Sequence, residues 1–140
     1  MKTFFLICLI SLLSISCKAQ QSDTKAIKTT IKTFALAGDK NDTNLMEQQL
    51  DANYRIVMNR LFGSKEVIIM NKKNYLEKID NKEFGGDNRK LTFEELIING
   101  NTAVAKVVMT GEKSTFHSLI LLVKNANNSW KLISDTPIIK

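Results

Sequence analysis

The stretch that decides the fold runs from Leu91 to Ile139 and reads LTFEELIINGNTAVAKVVMTGEKSTFHSLILLVKNANNSWKLISDTPII. Four runs rich in β-branched and apolar residues are separated by three short polar segments, at 99–100, 110–113 and 125–128. Such turn segments between apolar runs are typical of antiparallel hairpins. The stretch therefore predicts a meander of strands, and the segments before it must cover one face of that sheet.

The side-chain pattern within the meander predicts which strands are buried. Small and apolar residues alternate with polar ones from Thr102 to Thr110, which is the period of a half-buried strand. The adjacent acids Glu94 and Glu95 interrupt the alternation of the preceding run and indicate a β-bulge. Residues 119–123 are apolar throughout, which predicts a central strand covered on both faces. Pro137 is expected beyond the last strand, because it has no N–H for a ladder.

Upstream of the meander, an apolar stripe predicts a helix. Ile27, Ile31 and Phe34 recur at i, i+4 and i+7, which places them on one face of a helix over 23–37. Gly38 is expected to end this helix, because glycine readily takes the left-handed conformation of a helix end. The apolar face then needs a sheet to cover.

Shorter elements connect this helix to the meander. A second helix is predicted over 44–50, strands over 53–60 and 66–70, and a third helix after Asn71, whose side chain can cap it. Helices followed by a run of strands are typical of α+β domains. The chain therefore predicts one α+β domain, with helices on one face of a curved antiparallel sheet.

Charge and composition exclude several classes of function. The 140-residue chain has a formal net charge of +6. Its basic residues are interleaved with acids and form no platform with aromatic residues, so we expect no nucleic-acid partner. Its two cysteines, Cys8 and Cys17, precede the predicted domain, and His117 is its one histidine. We therefore expect no disulfide, no metal site and no cofactor in the domain.

The N-terminal residues 1–19, MKTFFLICLISLLSISCKA, have the features of an export signal. A short positive start precedes an apolar run over 4–15, which is too short for a membrane-spanning helix. The segment ending at Cys17 is similar to a bacterial lipobox, which would make Cys17 a lipid attachment site; cleavage after Ala19 would instead release a soluble protein. The sequence predicts an exported domain at 20–140, either a periplasmic or membrane-anchored lipoprotein or, alternatively, a secreted protein.

Three runs of the meander carry a resemblance to a known family. They are GNTAVAKV at 100–107, FHSLILLVK at 116–124 and SWKLI at 129–133. With the order of elements, they resemble the putative lumazine-binding family, over residues 23–136. This family is a branch of the nuclear transport factor 2-like superfamily, which includes ketosteroid isomerases, scytalone dehydratase and SnoaL-like cyclases. The resemblance implies a cone, in which N-terminal helices pack on the concave face of the sheet and enclose a pocket. The chain departs from the family's pattern at His117 and at Ser134-Asp135-Thr136.

The resemblance implies a pocket lined by apolar residues with a few polar groups. The residues we expect to bind a ligand there are Tyr54, Met58, Phe62, Tyr75, His117 and Trp130. Trp130 and the two tyrosines are equally consistent with core packing. His117 is the candidate catalytic residue, because its imidazole can transfer protons near neutral pH. It shares a strand face with Leu119 and Leu121, which we expect to point inward.

Three functions from different classes fit these expectations. The first is a non-catalytic exported domain that binds a small hydrophobic or aromatic ligand. The second is a pocket enzyme of the isomerase or dehydratase type, in which His117 acts with Tyr54, Asp51 or Asp135. The third is a homodimeric interaction module whose pocket is filled by its own side chains. The sequence contains no nucleotide-binding loop or nucleophile elbow that would favour the enzyme.

Overall fold

The described part of the chain contains three helices and six strands. The computed structural model describes the backbone from Lys2 and the side chains from Lys18 to Lys140. The elements are α1 (Lys2–Lys40), α2 (Thr43–Glu47), β1 (Leu50–Asn59), β2 (Val67–Asn71), α3 (Lys72–Asp80), β3 (Lys90–Asn99), β4 (Thr102–Thr110), β5 (Thr115–Lys124) and β6 (Trp130–Ile139). The side chain of the predicted lipid attachment site, Cys17, and those of the first 17 residues of the predicted export signal lie outside the described residues.

The six strands form one curved, unclosed sheet in the order β2-β1-β6-β5-β4-β3. Neighbouring strands are antiparallel except β1 and β6, which pair in parallel because the meander brings the last strand back beside the first. The register of β3 against β4 shifts between Phe93 and Glu95, which confirms the predicted bulge. The α+β class with helices on one face of the sheet is confirmed.

The first helix ends at Lys40, three residues later than predicted. Asn41 takes a left-handed φ of 52°. The N–H groups of Asn41 and Asp42 donate to the carbonyls of Gly38 and Ala37, at 3.2 and 2.9 Å. These two bonds form a Schellman motif, for which asparagine is an accepted residue. Gly38 is therefore part of the helix. Its missing side chain instead makes room for Arg89, whose Nη2 would lie 2.6 Å from a Cβ at this position.

The core lies between α1 and the concave face of the sheet. Ile27, Ile31 and Phe34 of α1 are buried, as the stripe predicts, against the alternating small residues of β4. The convex face is different, because no element among the described residues covers it. Six exposed apolar side chains lie on this face: Val67, Ile69, Ile97, Val104, Leu119 and Ile138.

The last strands differ from the sequence-based expectations in two places. Leu119 of β5 is 52% exposed, so the chain itself covers β5 on the concave face only. Pro137 lies within β6, where it pairs with Ser118 of β5. The pairing of β6 with β1 ends at Asp135, so β6 has a neighbour on one side only at Pro137. A proline is tolerated at such an edge position, because the ladder there needs no donor from it.

Candidate functional site

A cavity of about 530 Å³ opens at one end of the cone. This volume is within the range of small-molecule sites. Its inner wall is the concave face of the sheet, and its outer wall is formed by α1, α3 and the loop that follows α3. The strands contribute these lining residues: Ile56, Met58, Met109, Phe116, Ser118 and Asp135.

A continuous series of aromatic rings runs from the core to the mouth of this cavity. Tyr54 packs against Tyr75 at 5.4 Å between ring centroids, and Tyr75 lies 6.2 Å from Phe84. Phe84 stacks at 6.3 Å on Phe62, whose ring meets the edge of Phe116 at 6.4 Å. Such spacings are favourable for aromatic pairs. Because Phe62 is 66% exposed, the series ends in a ring that is open to solvent.

Asp135 places a carboxyl group in this apolar wall. It is the one buried carboxylic acid among the side chains from Lys18 onward, and its residue is 4% exposed. Alternation along β6 turns it to the concave face, between Ile56 of β1 and Ile120 of β5. Burial raises the pKa of Asp135 to about 7, although hydrogen bonds from Ser118 and from the backbone of Thr136, and the charge of Arg89, act in the opposite direction.

Two buried side-chain oxygens in this part of the core have no hydrogen-bond partner among the described residues. They are Oδ1 of Asp135 and the hydroxyl oxygen of Tyr54. Burial also raises the pKa of Tyr54, and the negative charge of Asp135 adds to this effect. An unpaired buried polar atom costs on the order of 1–3 kcal/mol. The cavity end of the fold is therefore less stable than a fully paired core would be.

Arg89 supplies positive charge at the cavity, but its guanidinium already has partners. Its Nε donates to Oδ1 of Asp39 at 2.5 Å, and its Nη2 donates to the carbonyl of Ala35 at 2.9 Å. The backbone N–H of Arg89 donates to the other Asp39 oxygen at 3.0 Å. Both side chains are mostly buried, at 13% and 12% exposed. The pair fixes α1 to the start of β3 and leaves little of the charge for a ligand.

The loop between α3 and β3 is held in place at the mouth. Asp87 accepts hydrogen bonds from the N–H groups of Glu112 and Lys113 in the β4–β5 turn, at 2.9 and 3.3 Å. At the other side, Gly85 takes a φ of +79°, and a Cβ on it would lie 2.1 Å from the carbonyl oxygen of Gly38. Only glycine fits this approach to the end of α1. The loop at the mouth of the cavity is therefore fixed both to the β4–β5 turn and to the end of α1.

Three of the six predicted ligand-binding residues line the cavity. They are Met58, Phe62 and Tyr75. Tyr54 lies behind Tyr75, where its ring is 1% exposed. Trp130 is at the opposite end of β6, where its Nε1 donates to Oδ1 of Asp23 at 3.0 Å. It packs the core there and does not contact the cavity.

His117 lies on the convex face, contrary to expectation. Successive residues of a strand point to opposite faces. Ser118 and Ile120 are buried on the concave side, so His117 and Leu119 point outward, near the Glu94 carboxylate. The expectation failed because apolar residues occupy both faces of β5, so the sequence did not indicate which of its residues face the core. The predicted pairing of His117 with an aspartate in the cavity is therefore wrong.

Of the two candidate aspartates, Asp51 and Asp135, only one lines the cavity. Asp51, at the start of β1, accepts a hydrogen bond from the N–H of Asn53 at 2.9 Å and does not line the cavity. Asp135 does. The sequence offered no signal for Phe116 or Ser118 as lining residues, because both depend on strand phase. It offered none for Arg89 either, because Arg89 lies in the loop before β3. Among the side chains from Lys18 onward, no group of three or more His, Cys, Asp and Glu residues is placed to hold a metal ion.

The fold and the cavity define a cone-shaped domain of the NTF2-like class, and comparisons with solved structures agree. An NTF2-like protein of unknown function from Silicibacter pomeroyi has a TM-score of 0.75 and 13% identity, over 86% of this chain and 98% of that one. One from Shewanella baltica has a TM-score of 0.73 and 17% identity, over 85% and 94%. A ketosteroid isomerase-like protein from Erwinia carotovora has a TM-score of 0.65 and 13% identity, over 82% and 94%.

At these low sequence identities, the structural matches support the fold but do not indicate an activity for this chain. No curated protein matches the sequence. The family model described as putative lumazine-binding matches residues 22–136. The chain therefore belongs to the putative lumazine-binding family, as the three runs of the meander indicated.

Proposed function

We propose that this chain is an exported domain that binds a small hydrophobic or aromatic molecule in the cavity. The observation that carries the proposal is the cavity of about 530 Å³, whose wall is the aromatic series from Tyr75 to Phe62. Planar rings at this spacing offer apolar surface to a ligand without the entropic cost of ordering flexible side chains. A few polar groups among apolar ones are typical of ligand sites.

Native mass spectrometry of the protein purified from its own host tests this proposal. We expect a bound small molecule, released on denaturation. Met58 lines the cavity, so Met58→Trp would fill it and abolish the bound mass. The matched control is Leu119→Trp, which adds a similar ring to the exposed convex face and should retain the ligand. Equal retention by both variants, or an empty wild-type protein, would refute the proposal.

A pocket enzyme is the second candidate, and Asp135 is the observation that favours it. Its pKa of about 7 suits a group that gives and takes a proton near neutral pH. Tyr75 lines the same cavity, whereas His117 does not. An isomerase or dehydratase would therefore rely on Asp135 and a tyrosine. Turnover of a retained ligand by wild type but not by Asp135→Asn is the expected result for an enzyme.

We also propose that the protein is anchored to a membrane through Cys17. No helix among the described residues is long and apolar enough to cross a membrane. From Lys18 onward, the exposed face of α1 carries Lys25 and Lys32, and this face suits an anionic lipid surface. The carboxylate of Asp23, on the same helix, accepts a hydrogen bond from the ammonium of Lys124 at 2.8 Å. Cys17→Ser should move the protein out of the membrane fraction; continued membrane association would contradict the anchor.

A homodimer is proposed on the uncovered convex face. Exposed apolar side chains of β3, β4, β5 and β6 are contiguous there, and large exposed apolar patches often mark protein contacts. Leu119→Glu should shift the mass in solution from dimer to monomer. Leu36→Glu, at an exposed position of α1, is the matched control and should leave the mass unchanged. A wild-type monomer would exclude the dimer.

A further inference from the structure

We propose that the ligand of this cavity is an amphipathic anion, with an apolar body inside the cavity and an anionic group paired with Lys113 at the mouth. This inference rests on the proposed small-molecule function and adds the charge and the orientation of the ligand. It follows from where the ammonium of Lys113 is held, from which charges around the cavity already have partners, and from the apolar surface of the inner wall.

The side chain of Lys113 borders the mouth of the cavity. Lys113 lies in the β4–β5 turn, and its side chain reaches the loop after α3, where Nζ donates to the carbonyl of Gly86 at 2.7 Å. Lys113, its neighbour Ser114 and Gly85 all line the cavity. The ammonium is therefore located at the opening, between the turn and the loop.

Both segments that hold Lys113 are themselves fixed. The turn donates the N–H groups of Glu112 and Lys113 to Asp87, and the loop donates the N–H of Gly86 to the carbonyl of Gly38 at 3.0 Å. The ammonium is thus placed before a ligand arrives. Binding to it then costs less side-chain entropy than binding to a free lysine.

The ammonium of Lys113 has donors to spare. An ammonium carries three N–H donors, and the carbonyl of Gly86 accepts one of them. No carboxylate among the described side chains lies within 4.0 Å of Nζ. The positive charge of Lys113 is therefore not neutralised by an ion pair, and two donors remain for an anionic group.

The other charged side chains of the cavity wall have partners or are buried. Besides Lys113, the charged lining residues are Glu83, Asp87, Arg89 and Asp135. The glutamate is paired with Lys78, and the arginine is paired with Asp39. The carboxylate of Asp87 accepts the backbone bonds of the turn. Lys113 is therefore the one lining cation that an anion can reach without breaking an ion pair.

The inner end of the cavity disfavours an anionic group. Asp135 is 4% exposed there, between Ile56 and Ile120. An anion at this end would lose its hydration and lie beside a carboxyl group with no unpaired cation to compensate. The apolar body of the ligand therefore occupies the inner end and packs against the aromatic series from Tyr75 to Phe62, with the charge directed outward.

Two matched fluorescent probes test the inference on the full-length protein. The first is 8-anilinonaphthalene-1-sulfonate, and the second is N-phenyl-1-naphthylamine, which has the same rings and lacks the sulfonate. Lys113→Met keeps an unbranched side chain and removes the charge. We expect it to lower the affinity for the sulfonate probe, relative to the neutral probe, by about three- to tenfold at low salt. High salt should reduce this difference.

Further variants separate the charge of Lys113 from other effects. Lys113→Arg keeps the charge and should keep the wild-type ratio of the two affinities. Lys82→Met is the matched control, because it removes an exposed lysine of the same loop that does not line the cavity. It should behave like wild type. The cavity-filling variant Met58→Trp should bind neither probe, and thermal unfolding checks that each variant is folded.

The outcomes distinguish this inference from the proposed function. If Lys113→Met weakens both probes equally, the lysine only joins the turn to the loop; the inference is then wrong and the ligand-binding function stands. An affinity ratio that is unchanged in Lys113→Met, or that falls as much in Lys82→Met, would overturn the inference equally. If neither probe binds wild type, the apolar site itself is wrong, and the proposed function fails with the inference.

Discussion

The two ends of the cone differ in how their buried and half-buried polar groups are paired. At the end that contains Trp130, Oδ1 of Asp23 accepts hydrogen bonds from Trp130 and Lys124, at 3.0 and 2.8 Å. The Lys124 ammonium also lies 5.6 Å from the Trp130 ring centroid. At the end that contains Asp135, one carboxyl oxygen and the Tyr54 hydroxyl have no partner. We call these the closed end and the open end.

This difference separates residues whose polar groups are paired within the fold from residues whose polar groups are not. Trp130 belongs to the SWKLI run that carries the family resemblance, and it lies in the closed end. Asp135 lies where the chain departs from the family's pattern, and it lies in the open end. Buried groups without partners persist in proteins where function needs them. The closed end is therefore expected to govern stability and the open end to govern binding.

The largest expected effect is at the closed end. Trp130→Ala removes a ring that is 3% exposed and leaves Asp23 without one of its donors. We expect a loss of about 3–5 kcal/mol in the free energy of unfolding, measured by chemical denaturation. A loss below about 1 kcal/mol would show that the ring is not part of the packed core.

The next largest effect is at the open end, where a substitution is expected to increase the free energy of unfolding. Burial raises the folded-state pKa of Asp135 to about 7 from 3.8, so the folded protein binds the extra proton and loses stability as pH rises between these values. Asp135→Asn removes this loss. We expect it to stabilise the protein by on the order of 3 kcal/mol at pH 8 and by almost nothing at pH 4. Thermal unfolding at both pH values measures this, and a gain that is equal at the two would contradict it.

A smaller effect is expected from the ion pair of the closed end. Lys124→Met removes a partner of Asp23, and both side chains are 21% exposed. We expect a loss of about 1 kcal/mol at pH 7. Hydrogen bonds from Lys124 and Trp130 lower the pKa of Asp23, so their stabilisation is present above pH 4 and is lost as pH falls further. The difference between wild type and variant should therefore shrink at pH 2; a constant difference would mean that packing alone is lost.

The smallest effect on stability is expected at the mouth. Phe62 is 66% exposed, so Phe62→Ala should change the free energy of unfolding by less than about 0.5 kcal/mol. It also removes the last ring of the aromatic series, and affinity for an aromatic probe should fall several-fold. Fluorescence titration measures the affinity. A large loss of stability, or unchanged affinity, would show that Phe62 serves packing rather than binding.

The sequence predicted the elements well because local patterns determine them. The stripe of Ile27, Ile31 and Phe34, the cap at Asn71 and the bulge at Glu94-Glu95 are each set by neighbouring residues. The family resemblance supplied the cone with helices on its concave face, whereas the order of strands in the sheet comes from the structure. The parallel contact between β1 and β6 joins residues about 80 positions apart, and no local pattern reports such a contact.

The site was harder to predict, because it depends on strand phase. In β4, alanine and valine alternate with polar residues, and the buried face is evident. In β5, leucine and isoleucine occupy both faces, so His117 was assigned to the wrong one. Asp135 was weighed only as a partner for His117. Its isolation from other polar groups becomes visible only when Ile56 and Ile120 are placed beside it.

The measurement that tests the central claim most directly is a titration of methionine methyl resonances with 6-propionyl-2-(dimethylamino)naphthalene. Met58 and Met109 line the cavity at the open end, whereas Met46 and Met70 do not. The account predicts that the methyl signals of Met58 and Met109 shift on binding and that those of Met46 and Met70 stay in place. Shifts confined to Met46 or Met70, or no shift at any of the four, would contradict it.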